Sequence, residues 1–97
     1  MLHSEARVAT ERASIYLQQL CKHFAHRLPV EFTPARGQIT FSVGTCRLAA
    51  DGGMLMLQAE AEDAALLAQL QEVIAKHLLR FAFRDPPEIV WAAKLTA

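Results

Sequence analysis

Three side chains that could carry chemistry lie within one short stretch of the sequence. Cys21, His23 and His26 all belong to residues 10–28, TERASIYLQQLCKHFAHRL. A thiol can act as a nucleophile, and an imidazole can bind a metal ion or transfer a proton. A further histidine, His77, lies in the second half of the chain. Which of these side chains can work together depends on the elements that carry them.

The spacing of apolar residues predicts a helix over residues 10–28. We expect Thr10 to cap its first turn and Glu11 to lie at the positive end of its dipole. Leu28 precedes Pro29, and the residue before a proline disfavours the helical conformation, so the helix is expected to end there. Its buried face consists of apolar residues three or four apart, which are Ala13, Leu17, Leu20, Cys21, Phe24 and Leu28.

Such a helix separates Cys21 from His23, because residues two apart lie about 200° apart around an axis with ~3.6 residues per turn. We therefore interpret Cys21 as a small core residue rather than a nucleophile. His23 and His26, three residues apart, can face a common point. Two imidazoles are fewer than the three or four ligands of a zinc site, so no metal site is predicted.

A polar edge runs along the same helix and is the first candidate for a functional site. Its members are Arg12, Tyr16, Gln19, His23 and His26. Two interpretations stay open at this point. The edge is either a solvated surface with a basic C-terminal turn, or the rim of a ligand-binding groove.

The composition limits the class of protein. The chain has 97 residues, of which 53% are hydrophobic, and this predicts a single domain over residues 1–97 with its own core. The formal net charge of +0 argues against nucleic-acid or membrane-surface binding, which usually needs a basic excess. No apolar stretch has the length of a signal peptide or a membrane span. We expect a cytoplasmic protein in which Cys21 and Cys46 are reduced thiols.

The remaining segments predict an α+β fold. A second amphipathic pattern indicates a helix over residues 62–82, and Asp51-Gly52-Gly53 is typical of a hairpin turn. We predict a two-layer sandwich, a largely antiparallel sheet with two helices on one face, in the order β-α-β-meander-α-β. The order of the strands across the sheet stays open. Alternating apolar and polar residues place the strands at residues 4–9, 30–33, 38–43, 45–50, 54–60 and 88–95.

His77 falls inside the apolar stripe of the second helix, where an imidazole needs a hydrogen-bond partner or an edge. One interpretation is a core histidine with a satisfied ring. The other is a site shared with His23, because the stripes of both helices must cover the same sheet. The candidate ligand-binding residues are therefore Tyr16, Gln19, His23, His26 and His77.

Several segments spread along the chain resemble one bacterial family. They are ARVAT near the start, YLQQLCKHFAH followed by PVEF, the run GTCRLAA, and HLLRFAFRD. In these segments the chain is similar to the family catalogued as domain of unknown function 2218. The resemblance implies no particular activity, but it suggests a context in iron metabolism, beside siderophore-interacting flavin reductases. Ala25 and Leu79 replace polar residues expected in similar sequences, and neither change affects the histidines.

These observations favour a binding or accessory module. A histidine-lined groove between the helices would receive a small-molecule ligand, a metal chelate or a protein segment. An enzyme with histidine acid–base chemistry is the alternative, although no second catalytic group lies at a fixed spacing. A third hypothesis is a homodimer formed through the open sheet face around Met54 and Met56. The sequence identifies no cofactor.

Overall fold

The computed structural model describes residues 1–94, in which two helices cover one face of an antiparallel sheet. The elements are β1 (Leu2–Ala9), α1 (Ala13–Phe24), β2 (Val30–Phe32), β3 (Arg36–Thr40), β4 (Thr45–Asp51), β5 (Met54–Ala61), α2 (Ala64–Phe81) and β6 (Trp91–Lys94). The strands lie in the order β2-β3-β4-β5-β1-β6, and every neighbouring pair is antiparallel. The predicted α+β sandwich with both helices on one face is confirmed.

Alternation along the strands explains why the helices cover only one face of the sheet. In β5, Leu55 and Leu57 are completely buried beneath the helices, whereas Met54 and Met56 lie half-buried on the opposite face. The preceding hairpin turns at Gly52, whose φ of 59° favours glycine, as the sequence predicts. β2 pairs with β3, which answers the pairing question that the sequence left open.

Helix α1 is shorter than predicted at both ends. The amide of Thr10 donates to the carbonyl of Gly53 (2.9 Å), and this bond keeps Thr10 with the sheet instead of at the helix cap. Arg12 occupies the cap position without a side-chain hydrogen bond. At the other end, the amide of Leu28 donates to the carbonyl of Phe24 (2.9 Å), which closes a turn after the helix. The prediction of one helix over residues 10–28 is therefore wrong for its first and last turns.

Helix α2 begins with a side-chain cap and buries a narrow stripe. Asp63 accepts a hydrogen bond from the amide of Leu66 (2.8 Å), so the helix begins after this residue rather than at residue 62. Leu70, Ile74 and Leu78 are at most 1% exposed and face the sheet. No helix within residues 1–94 combines the length and apolar character needed to cross a membrane.

Each strand also differs from its predicted range by at least one residue at one end, and the largest differences are those of β3 and β6. β3 ends at Thr40, because the amide of Phe41 donates to the carbonyl of Gly44 in a tight turn (2.7 Å). Phe41 nevertheless packs against the core from this turn. β6 begins at Trp91 rather than at residue 88, and the predicted continuation to residue 95 lies outside the described residues.

The two cysteines are buried free thiols, and burial makes them poor nucleophiles. It raises the pKa of Cys21 to about 11 and raises the pKa of Cys46 further, with the nearby Cys21 as a smaller cause. A thiolate is the reactive form of cysteine, and neither side chain supplies one at neutral pH. The interpretation of Cys21 as a core residue agrees with its complete burial.

Candidate functional site

The two helices bring His23 and His77 into contact. His23 lies in the last turn of α1 and His77 lies in the C-terminal half of α2, and their ring centroids are 4.9 Å apart with an angle of 41° between the planes. Phenylalanine rings surround this pair, and we refer to the whole group as the histidine seam. It consists of His23, His77, Phe24, Phe41 and Phe81.

His77 is held in a defined orientation. Its Nδ1 lies 2.7 Å from the carbonyl oxygen of Val73, one turn earlier in the same helix. Because a carbonyl only accepts hydrogen bonds, we assign the proton of the neutral ring to Nδ1. The other nitrogen, Nε2, then carries a lone pair that is available to a ligand. The Phe24 ring, 4.9 Å away between centroids, packs against the same imidazole.

His23 is exposed at the mouth of the seam, and its surroundings favour its neutral form. The pKa of His23 is lowered first by desolvation, because its ring packs on neighbouring rings, and then by the charges of nearby basic groups. Those groups are His77, Arg80, His26 and Arg27, in decreasing order of effect. Every charge-based cause of this shift is thus a basic group, and basic groups near His23 favour an anion over a cation there.

The basic groups near His23 favour an anion over a metal cation as a ligand of the seam. A bare metal cation would meet repulsion from Arg27 and Arg80 and would find only the two seam imidazoles as ligands. Within residues 1–94, no three His, Cys, Asp or Glu side chains converge on a point that could hold a metal ion. An anion would gain from the same basic groups and could accept or donate hydrogen bonds at the imidazoles.

The other candidate residues lie outside the seam. His26 is exposed in the turn after α1, and it is one of the smaller causes that lower the pKa of His23. Gln19 is exposed one turn before His23, and its side chain has no hydrogen-bond partner among the described residues. The five candidate residues therefore do not form one cluster, and only His23 and His77 are in ring contact.

Tyr16 corrects the prediction of a continuous polar edge, because it is only 5% exposed and belongs to the core. The reason is its helical position, three residues after Ala13 and four before Leu20, which places it on the buried face. Tyr16 lines a separate groove at the end of the helical layer. Phe81 lines the same groove and also contacts His23 at 6.0 Å between ring centroids, so the groove and the seam share this ring.

Sequence reasoning missed part of the seam. It assigned Phe24 and Phe81 to apolar stripes and did not include them in the candidate site, and it placed Phe41 in a strand. Arg80, three residues after His77 on α2, was the signal for a basic site, because positions three apart share a helix face. Phe41 gave no such signal, since only the turn after β3 brings its ring to Phe24, 4.9 Å between centroids.

The open face of the sheet carries a polar network rather than an apolar patch. The carboxylate of Glu60 lies 3.4 Å from Nδ1 of His3 and 3.5 Å from a guanidinium nitrogen of Arg47, and Nε of Arg47 donates to the side-chain oxygen of Gln38 at 3.4 Å. These contacts join β1, β5, β4 and β3 across one face. The homodimer through this face remains a prediction.

Comparisons with known proteins place the chain among bacterial proteins without an assigned activity. The model of a family described as "Uncharacterized protein conserved in bacteria (DUF2218)" matches residues 5–92. The chain is also similar to the protein in the "NMR structure of PA4090 from Pseudomonas aeruginosa", with 39% sequence identity and a TM-score of 0.81. That alignment covers 95% of this chain and 96% of the other. Among curated proteins, none matches the chain significantly.

Proposed function

The chain belongs to the DUF2218 family of uncharacterized bacterial proteins, and we propose that it is a binding or accessory module for a small anionic ligand. The ligand would lie at the histidine seam. The observation that carries this proposal is the contact between His23 and His77, 4.9 Å between ring centroids, inside a basic environment. Two imidazoles with free nitrogen atoms, placed side by side at a surface, offer convergent polar groups on an aromatic base.

The division of roles follows from the burial of the two rings. His77 is half-buried and oriented by Val73, so its Nε2 would accept a hydrogen bond from a protonated group of the ligand, such as the remaining hydroxyl of a catechol monoanion. His23 is exposed and would close over the ligand as a donor or acceptor, according to its protonation state. The guanidinium groups of Arg27 and Arg80, which act on His23 through their charge, would supply the attraction for an anion.

The aromatic walls favour a ligand with a planar body. Phe24 and Phe81 border the histidine pair in edge-to-face contacts, at 5.0 Å and 6.0 Å from His23 between ring centroids. An aromatic anion can pack on such rings while its charged group faces the arginines. Catecholate iron chelates combine these properties, so a role beside siderophore chemistry in iron metabolism is the finer form of this proposal.

Isothermal titration calorimetry of the purified chain with 4-nitrocatechol, an aromatic anion in slightly alkaline buffer, and with its ferric complex tests the proposal. We expect His23→Ala to weaken binding at least about tenfold, which corresponds to ~1.4 kcal/mol. His3→Ala is the matched control, because His3 lies on the open sheet face, remote from the seam, and should bind like the wild type.

Two outcomes of this titration would contradict the proposal. Equal affinity of the wild type and His23→Ala would remove the seam as the site. Binding of Zn²⁺ in preference to both aromatic anions would show that the basic environment does not select the ligand. Tighter binding of the ferric complex than of free 4-nitrocatechol would support the iron-related form of the proposal, and equal binding would leave only the general anionic form.

A further inference from the structure

A groove of about 840 Å³ shares Phe81 with the histidine seam, because the Phe81 ring lines the groove and also contacts His23. The loop between β1 and α1 forms one wall, and the chain after α2 forms the other. Its chemically important side chains are those of Arg12, Tyr16, Phe83 and Arg84. We call it the Tyr16 groove.

Tyr16 lines this groove with a side chain that is almost completely buried. Tyr16 is 95% buried, since its exposed fraction is 5%, and its hydroxyl has no hydrogen-bond partner among residues 1–94. In the same residues, no fully buried polar side-chain atom lacks a partner, so the hydroxyl must reach solvent. The groove is the opening that Tyr16 lines. A buried ring whose hydroxyl reaches solvent and has no partner in the described residues therefore lines the groove, and this donor is available to a ligand.

The N-terminus of α1 supplies a second, independent feature at this place. Arg12 at the cap position provides no side-chain hydrogen bond, and the first turn contains no acidic residue. The backbone turns over residues 11–12 into the helix, and the amide of Tyr16 donates to the carbonyl of Arg12 (2.9 Å). Thr10 and Arg12, which lead into the helix, line the groove. The first amides of a helix and the helix dipole together favour an anion at such an end.

We propose that the Tyr16 groove binds a small aromatic carboxylate. The carboxylate would accept hydrogen bonds from the Tyr16 hydroxyl and from the first amides of α1, with Arg12 and Arg84 as countercharges. The ring of the ligand would lie against Phe81 and Phe83, the aromatic side chains of the opposite wall. The guanidinium of Arg84 lies 5.8 Å from the centroid of the Phe83 ring, so charge and aromatic surface are adjacent.

The charged side chains of the groove limit how many negative charges its ligand can carry. Glu11 and Asp85 also line the groove, and neither forms an ion pair with Arg12 or Arg84 in the described part of the chain. Two carboxylates at the rim repel a ligand with several negative charges but tolerate a single one held at the helix end. This requirement separates the groove from the histidine seam, where every charge-based cause of the lowered His23 pKa is a basic group.

Titration of the full chain with phenylacetate, followed by the backbone amide signals in NMR spectra, tests this inference. We expect shifts at Ala13, Ser14, Tyr16 and Gly53 that saturate together, with the signals of His23 unchanged. Tyr16→Phe keeps the ring and its packing, removes only the hydroxyl, and should weaken the affinity about tenfold or more. Phenethylamine has the same aromatic body with a cationic group and should not bind.

The inference is overturned if Tyr16→Phe binds phenylacetate as tightly as the wild type while its spectrum shows a folded chain. It is also overturned if phenethylamine produces the same shifts, or if phenylacetate shifts only the signals of the histidine seam. Arg84→Gln provides a second, independent test, because Arg84 is exposed and its replacement should keep the fold. It should weaken phenylacetate binding and leave the binding of 4-nitrocatechol at the seam unchanged.

Discussion

Replacement of His77 by alanine should cost more stability than replacement of His23. The His77 substitution removes a hydrogen bond to the Val73 carbonyl (2.7 Å), worth about 1 kcal/mol net. It also removes ring contacts with Phe24 and His23, both 4.9 Å between centroids, worth about 0.5–1.5 kcal/mol. The higher helix propensity of alanine returns up to about 0.7 kcal/mol. We expect a net loss of about 1–2.5 kcal/mol in the free energy of unfolding.

The same reasoning gives His23→Ala a loss of no more than about 1 kcal/mol, because His23 is exposed and loses only ring contacts. Urea unfolding of the wild type, both single variants and the double variant measures these losses and the coupling energy between the rings. We expect a coupling of about 0.5–1 kcal/mol. A coupling near zero, or a His23→Ala loss equal to that of His77→Ala, would refute the packing described for the seam.

Three further predictions concern the buried core, the tight packing around Gly44 and the dependence of stability on pH. Leu70→Ala should lower the free energy of unfolding in urea melts by about 2–5 kcal/mol, because Leu70 is completely buried. The control is Leu79→Ala on the same helix, which should change it by less than about 0.5 kcal/mol because Leu79 is partly exposed. Equal losses would contradict the assigned face of α2. Gly44→Ala should lower the free energy of unfolding by about 1–3 kcal/mol or more, because the added Cβ would collide with a backbone oxygen of β5. Gly53→Ala is the control: its Cβ would meet no atom within 4 Å, and its stability should stay near that of the wild type. The pKa of His23 in the folded chain is lowered from 6.5, so the unfolded chain binds more protons at this residue. The stability that this group contributes should therefore be full above pH 6.5 and decrease as the pH falls toward the folded pKa. His23→Gln should flatten that part of the pH profile in thermal melts, and an unchanged profile would contradict the lowered pKa.

The fold was predictable because its two hydrophobic periods are regular. Alternation along residues 54–60 and the stripe through Leu70 and Ile74 indicated a covered sheet and its helix. The ends of α1 were not predictable from the same pattern. Thr10 has the side chain of a good helix cap, yet its amide bonds to Gly53, a residue 43 positions away in the chain. Such long-range hydrogen bonds override local preference and leave no trace in the local sequence.

The site was predictable only in part. The contact of His23 with His77 agrees with one of the two interpretations that the sequence left open, in which the stripes of both helices cover the same sheet and bring the two histidines to a shared site. Tyr16 was assigned to the polar edge on the basis of its hydroxyl, although its spacing from Ala13 and Leu20 already indicated burial. The Tyr16 groove depends on Arg84, which approaches only after α2 has ended, and sequence spacing carries no information about that approach.

The central claim is that His23 and His77 act together as an anion-binding site. NMR spectra of the imidazole nitrogens, recorded during titration with 4-nitrocatechol, test it most directly, because they resolve the four histidines individually. The claim predicts that the His23 and His77 signals shift with one common affinity, that the pKa of His23 rises when the anion binds, and that His3 does not respond. Saturable binding that leaves both seam histidines unshifted, or that moves His3 equally, would contradict the claim.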